Sequence, residues 1–333
     1  MFGKPLSALL LLPIAALLSV SASPLPQVAQ PSAEMAARFT TAAMVDACGD
    51  NDGWTDPAPP AHIYGNTWYV GTCGITALLV TTPQGHILID AGMPDAAPLV
   101  AANIEKLGLS LKDVRWIVGS HEHFDHAGGI PELKRRSGAR LAATPVWAKV
   151  MASGKPAAED PQYLSLLERP IPAVKTDRVL RGGAVLAFGG AVLKPTMTPA
   201  HSPGSTSWTW QTCEGGQCRT ITYADSASTI SSGLYNFSVR PKRVKEVRSG
   251  LQSIGKLDCG ILITPHPSAS ALFERMKAGL TPDEAACPAY AQAAEERFAK
   301  RLSEDQETMQ AALDALEAAK KAAKQLAKES APK

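Results

Sequence analysis

The chain has 333 residues and is 45% hydrophobic, enough for one large domain or two small ones around a sizeable core and too apolar for a disordered protein. Lys and Arg total 33 against 31 Asp and Glu, leaving a net charge of +2. That balance gives no electrostatic reason to expect nucleic acid or an anionic membrane as partner.

Residues 1–22 read as a secretory signal peptide. Lys4 supplies the positive start, Leu6 to Val20 the apolar run, and Ser21-Ala22-Ser23 the small residues, with cleavage expected near Ala22. The run is shorter than the ~20 residues that span a bilayer. The mature protein is therefore expected in the periplasm and free of the membrane. Residues 23–45, rich in Ala, Pro and Ser, read as a flexible leader. The main domain is expected over 46–302. It opens with short strands in HIYG, NTWYVG, ITALLVTT and HILID, with a turn at Pro83-Gln84-Gly85. Leu99, Val100, Ile104 and Leu107 have helical spacing, and Val114 to Val118 is a buried strand. A short helix over 131–136, a strand over 141–144 and a helix over 145–152 follow. Residues 153–173 show no clear period, and a loop that long is usually functional or mobile. Strands are expected at 174–181, 184–188 and 191–197. A hairpin then leads to a basic helix, Arg240 to Ile254, a strand at Ile261 to Ile263, and helices at about 268–278 and 282–302. The tail, 303–333, is rich in Ala, Lys and Glu and reads as a solvated helix, since sustained heptads are absent. Strands mixed with helices in both halves imply a layered α/β arrangement.

Six cysteines in an exported chain suggest three disulfides. Cys213 and Cys218 flank a glycine pair between two strand-like runs, which fits a bridge across a hairpin. Sequence proximity then pairs Cys48 with Cys73 and Cys259 with Cys287. No C-x2-C spacing supports a thiolate metal site.

The densest chemistry lies just after the buried strand, in VRWIVGSHEHFDH. Three of the chain's 7 histidines fall within six residues, together with an aspartate. In extended chain alternate residues share a face, so His121 and His123 point one way. The turn that follows lets Asp125 and His126 serve a second point. A catalytic zinc takes three protein ligands and keeps one position open, so four candidates make two half-built sites. His201 and His266 each stand at a strand-to-loop exit, where ligands collect on a rigid scaffold. His62 and His86 head strands among apolar neighbours and read as structural. The count closes with His121, His123 and His201 on one ion, and Asp125, His126 and His266 on the other. Nitrogen-rich ligation favours Zn2+, two per chain.

The segments HEHFDH, TPAHSPGSTSW, YADSAS and TPHPSAS resemble the third subclass of the metallo-β-lactamases, from about Trp54 to Arg301. The resemblance implies an αββα sandwich of two mixed sheets flanked by helices, with two zincs in a groove at one sheet edge. It implies hydrolysis of penicillins, cephalosporins and carbapenems by attack of a zinc-bound hydroxide, and hence antibiotic resistance. Asp125 would orient the hydroxide. Ser226 and Ser228 match groove serines, and Gln162 a groove-edge glutamine. Trp68, Tyr163 and Phe237 are candidate apolar walls, and Asp90 a candidate support for a ligand. Ala200 departs from the family's usual glycine. The expected partner is a small-molecule β-lactam, and the expected state a monomer. The alternative is a thioesterase of the glyoxalase II type or a lactonase, in which a further aspartate bridges the metals; Asp225 lies in the right region to do so.

Overall fold

The computed structural model describes Met1 and residues 27–329, with side chains to residue 326. The expected signal peptide lies, Met1 apart, outside the described residues.

Helices α1 (Ala33–Arg38) and α2 (Thr41–Cys48) come first. Strands β1 (Ala61–Tyr64), β2 (Thr67–Tyr69), β3 (Leu78–Thr82) and β4 (Gly85–Ile89) follow, then helix α3 (Ala97–Lys106) and strand β5 (Val114–Val118). Helices α4 (Phe124–Ala127) and α5 (Ile130–Ser137) precede β6 (Arg140–Ala143), and α6 (Pro145–Ser153) and α7 (Tyr163–Leu167) precede β7 (Arg178–Val179). These seven strands form one sheet in sequence order, antiparallel from β1 to β4 and parallel from β4 to β7. The second sheet holds β8 (Leu186–Phe188), β9 (Ala191–Met197), β10 (Thr206–Glu214), β11 (Gln217–Tyr223) and β12 (Ile261–Ile263). Its order is β12-β11-β10-β9-β8, with β12 parallel to β11. Helices α8 (Pro241–Ile254), α9 (Leu272–Ala278) and α10 (Ala286–Glu329) complete the chain.

The alternation of side chains along a strand sets the layers. Leu78, Val80, Ile87, Ile89, Trp116 and Val118 face Trp208, Trp210, Ile221, Tyr223 and Ile263 between the sheets. The intervening Leu79, Leu88 and Ile117 face outward, under Val100, Ile104, Ile130, Leu133 and Trp147 of the helices. On the far side Leu262 packs beneath Val247, Leu251, Tyr290, Ala294 and Phe298. The result is helix, sheet, sheet, helix, as expected, with strands apolar on both faces because both faces are covered.

Of the flexible leader expected over 23–45, residues 23–26 lie outside the described residues, and the described part, 27–45, is instead seated on the fold. Ser32 and Thr40 cap α1 and α2 through their side chains. Met44, Val45 and Cys48 of α2 are buried in the inter-sheet core, and Gln30 donates to the Thr82 carbonyl. The Ala-rich composition hid this one-sided burial. The boundary expected at 303 is likewise absent: α10 runs unbroken through it, and the tail is a continuation of the helix. The strand expected over 174–181 shrinks to β7. All three disulfides join the expected partners, Cys48 to Cys73, Cys213 to Cys218 and Cys259 to Cys287.

His86 of β4 is fully buried, and neither ring nitrogen has a well-formed hydrogen bond among the described residues. Burial pushes its pKa down to about 4, with Asp113 and the Gly85 backbone partly opposing. A histidine depressed on folding stabilises the fold above its unfolded pKa, near 6.5, and that stability is lost as pH falls toward 4. The contribution is roughly 3 kcal/mol, at about 1.4 kcal/mol per pKa unit. His86→Phe is expected to flatten the fall in urea stability between pH 6.5 and 4. An equally steep fall in the variant would place the acid sensitivity elsewhere.

Candidate metal centre

The ends of β4, β5, β11 and β12 meet at one edge of the sandwich, joined by the loop that leaves β9. Each exit supplies a polar residue to the same place. Asp90 follows β4 and has φ +60, a left-handed conformation that aspartate tolerates better than most residues. Its carboxylate accepts from the Ser120 backbone (2.7 Å), the Ser120 hydroxyl (2.6 Å) and the Tyr223 hydroxyl (2.7 Å). Burial still raises its pKa to about 6, with His126 and those hydrogen bonds opposing. Asp90 thus pins the start of the 120–126 turn, as a supporting group should. Gly119 is required there, since a Cβ would lie 2.4 Å from the Trp147 ring.

The expected alternation in HEHFDH holds. His121 and His123 point into the centre, while Glu122 turns away into the His201 loop. There it accepts from Ser202 Oγ at 2.7 Å and Gly204 N at 2.9 Å. Gly204 leaves room for that carboxylate; a Cβ would come within 2.4 Å of it. Burial, and then the like charge of Asp160, push Glu122 up to about 7. The tie locks the loops that carry His121, His123 and His201 together.

The imidazoles are oriented from behind. His121 Nδ1 donates to Asp225 Oδ1 at 2.8 Å, His123 Nε2 to Asp160 Oδ2 at 2.8 Å, and His201 Nδ1 to the Ser228 carbonyl at 2.8 Å. These tautomers follow from the acceptors. They leave His121 Nε2, His123 Nδ1 and His201 Nε2 as lone-pair donors. The three rings stand 4.7, 4.7 and 4.8 Å apart between centroids, and one ligand atom from each lies within 4.8 Å of the others. Beside them, Asp125 Oδ2 is 3.2 Å from His126 Nε2 and 3.4 Å from His266 Nε2, and those two nitrogens are 3.2 Å apart. His121, Asp125 and His126 also have ligand atoms within 4.8 Å of one another, so the two clusters adjoin.

The donor set fits metal ions. Lone pairs and a carboxylate crowded this closely repel unless cations sit among them. His121 Nε2 is buried without a hydrogen-bond partner among the described residues, which is costly for a polar atom with nothing to bind. Burial, then the neighbouring imidazoles, hold His121 and His201 well below the ordinary histidine pKa, the form a ligand needs. For His123 burial also opposes charge, but Asp160 outweighs it and moves the ring up to about 9. Asp125 is buried too, yet His126 and His266 keep its carboxyl well below the usual range. His62 bonds the Gly65 carbonyl at 2.9 Å and stays outside the centre, as does His86.

Of the expected groove residues, Gln162 roofs the first cluster, its Nε2 lying 3.3 Å from His201 Nε2 and 3.5 Å from His123 Nδ1. Ser226 is buried beside Asp225. Ser228 Oγ lies 3.0 Å from His201 Nδ1, so this residue also orients a ligand. Trp68 and Phe237 are not walls: both are buried in apolar cores, where their bulk fills space between layers. Sequence reading missed Asp160, Glu122 and Trp54. The Trp54 ring lies 5.6 Å from His266 and is 39% exposed, at the mouth of the centre. A lone Asp or Trp in a loop carries no local signal of such a role.

Comparison with known proteins agrees with this geometry. A model of the metallo-beta-lactamase superfamily matches residues 70–213. The metallo-β-lactamase MIM-1 from Novosphingobium pentaromativorans is 53% identical, with a TM-score of 0.77 over 80% of this chain and 98% of that one. MEM-A1, a subclass B3 metallo-β-lactamase from a soil metagenome library, is 38% identical, with a TM-score of 0.71 over 77% and 100%. A hydroxyacylglutathione hydrolase from Anaeromyxobacter dehalogenans (strain 2CP-C) is 31% identical over 202 residues, 61% of this chain. This chain spans 64% of that relative's length. With six converging donors at the edge of an αββα sandwich, the chain belongs to the metallo-β-lactamase superfamily and is a hydrolase whose structural neighbours are B3 enzymes.

Proposed function

We propose that this protein is an exported, periplasmic β-lactamase that opens the ring of penicillins, cephalosporins and carbapenems and so confers resistance. One observation carries the choice within the superfamily: Asp225 is engaged with His121 Nδ1 from behind. The thioesterase and lactonase alternative requires an aspartate shared between the two metals, whereas here that carboxylate orients a histidine. His121, His123 and His201 would hold one ion and Asp125, His126 and His266 a second, both of them zinc. When bound, zinc lowers the pKa of water to about 7 and polarises a carbonyl.

The chain's own groups do the rest. Asp125 is ionised and accepts a hydrogen bond from the attacking water, orienting its lone pair at the ring carbonyl. Asp225, Asp160 and the Ser228 carbonyl fix the three imidazoles of the first cluster, so little reorganisation accompanies the reaction. Gln162 Nε2 stands over that cluster as a donor to the substrate's polar groups. Ser226 and Ser228 border the same groove, where the substrate carboxylate binds. Water adds to the carbonyl carbon, the C–N bond breaks, and the nitrogen takes up a proton.

The test is hydrolysis of a chromogenic cephalosporin by metal-loaded protein. We expect turnover that is abolished by chelator and restored by zinc. Faster turnover of S-lactoylglutathione or an acyl homoserine lactone would overturn the assignment.

A further inference from the structure

Helix α10 does two jobs along its length. Its first part packs Cys287, Tyr290, Ala291, Ala294 and Phe298 into the outer core. The packing ends at Asp305, which accepts from the Phe237 backbone at 2.6 Å and from Arg301 at 2.8 Å. Beyond that point the helix continues to Glu329. Residues 310–326 are all exposed, Leu313 and Leu316 by about half (47% and 50%). An extension of this kind runs on the order of 35 Å at 1.5 Å per residue.

Two features of the extension are ordered. Met309, Ala312, Leu313, Leu316 and Ala323 fall on one stripe at helical spacing. The charges are segregated: Glu304, Asp305, Glu307, Asp314 and Glu317 precede Lys320, Lys321 and Lys324, with no basic residue from 302 to 319 and no acidic one from 318 to 328. A helix with an acidic first half and a basic second half complements itself when two copies run antiparallel.

We propose that the α10 extension is a self-association helix that pairs antiparallel with a second copy of this chain. A two-fold axis near residue 319 sets Leu316 of one copy against Ala323 of its partner, large against small. It also sets Asp314 and Glu317 opposite Lys324 and Lys321. The contact is isologous and closes at two copies. It covers a stripe that water otherwise faces. The sequence reading expected a monomer and, since sustained heptads are absent, a solvated tail, and it left the order of charges unused.

The experiment is sedimentation of the mature full chain across concentrations up to about 100 µM, a range that detects micromolar affinity. We expect a dimer that weakens with salt. Two variants give the decisive arm: K320E/K321E/K324E makes the extension predominantly acidic, and D314K/E317K makes it predominantly basic. Each alone is expected to be monomeric, with full cephalosporinase activity and unchanged helix content, and an equimolar mixture is expected to regain the dimer. A wild-type monomer at all concentrations would overturn the proposal, as would single variants that dimerise like wild type. Monomeric protein that instead binds vesicles containing anionic phospholipid would assign the stripe to a membrane surface and overturn it too.

Discussion

His121→Ala is expected to cut hydrolysis of a chromogenic cephalosporin by at least about a thousand-fold, and His266→Ala by more than ten-fold. The difference comes from position. His121 adjoins both clusters, with a ligand atom within 4.8 Å of those of His123 and His201 and of Asp125 and His126. His266 serves only the second cluster and is the least buried of the six donors, with 26% of its side chain exposed. A thousand-fold loss corresponds to about 4 kcal/mol of transition-state stabilisation, within the several kcal/mol that Lewis-acid polarisation supplies. Zinc analysis separates ligand loss from misfolding. His266→Ala should bind one zinc per chain and His121→Ala fewer than two, with native circular dichroism in both. Two zincs retained by His266→Ala would show that the second cluster is wrongly assigned.

The six donors were legible in the sequence because spacing and strand exits are local facts. H-x-H-x-D-H after an apolar run fixes which side chains share a face, and His201 and His266 each follow a strand that the sequence marks plainly. The layered α/β arrangement was legible from the mixed strands and helices, while the sandwich itself was expected from the resemblance; the structure supplies its physical reason. The central strands do not alternate polar with apolar; runs such as Leu78-Leu79-Val80 and Ile87-Leu88-Ile89 are apolar on both faces, which suits a sheet covered on both sides. What stayed hidden depends on distant partners. Asp160 reaches His123 from a loop 37 residues away, and Glu122 ties to Ser202 and Gly204 about 80 residues on. Nothing in their immediate surroundings distinguishes them from solvated acids. The helices at 33–48 were missed because Ala and small polar residues dominate that stretch and blur any apolar period, although only Met44, Val45 and Cys48 need to be apolar to seat α2. The order of charges in the tail was present in the sequence throughout, but its meaning depends on α10 leaving the body of the protein as one unbroken helix.

Asp225→Asn is the sharper test of what kind of hydrolase this is, because the two readings of the superfamily predict different results for it. In the orienting reading, the asparagine carbonyl still accepts from His121 Nδ1, so the tautomer survives while the negative charge behind the ring is lost. Losing such a support typically costs 10–100-fold in metal affinity or activity. The variant is therefore expected to hold two zincs at saturating metal, to bind the first more weakly, and to keep measurable cephalosporin turnover. Asp225→Ala should do worse, since it also frees the ring to turn and leaves Nδ1 unpaired in a buried site. In the bridging reading the carboxylate is itself a ligand of both ions, so Asp225→Asn would drop the second zinc even at saturation and abolish turnover. The 2.8 Å contact from His121 Nδ1 to Asp225 Oδ1 supports the first outcome, and a variant that saturates at one zinc would reverse the proposed choice between β-lactam and thioester or lactone as substrate.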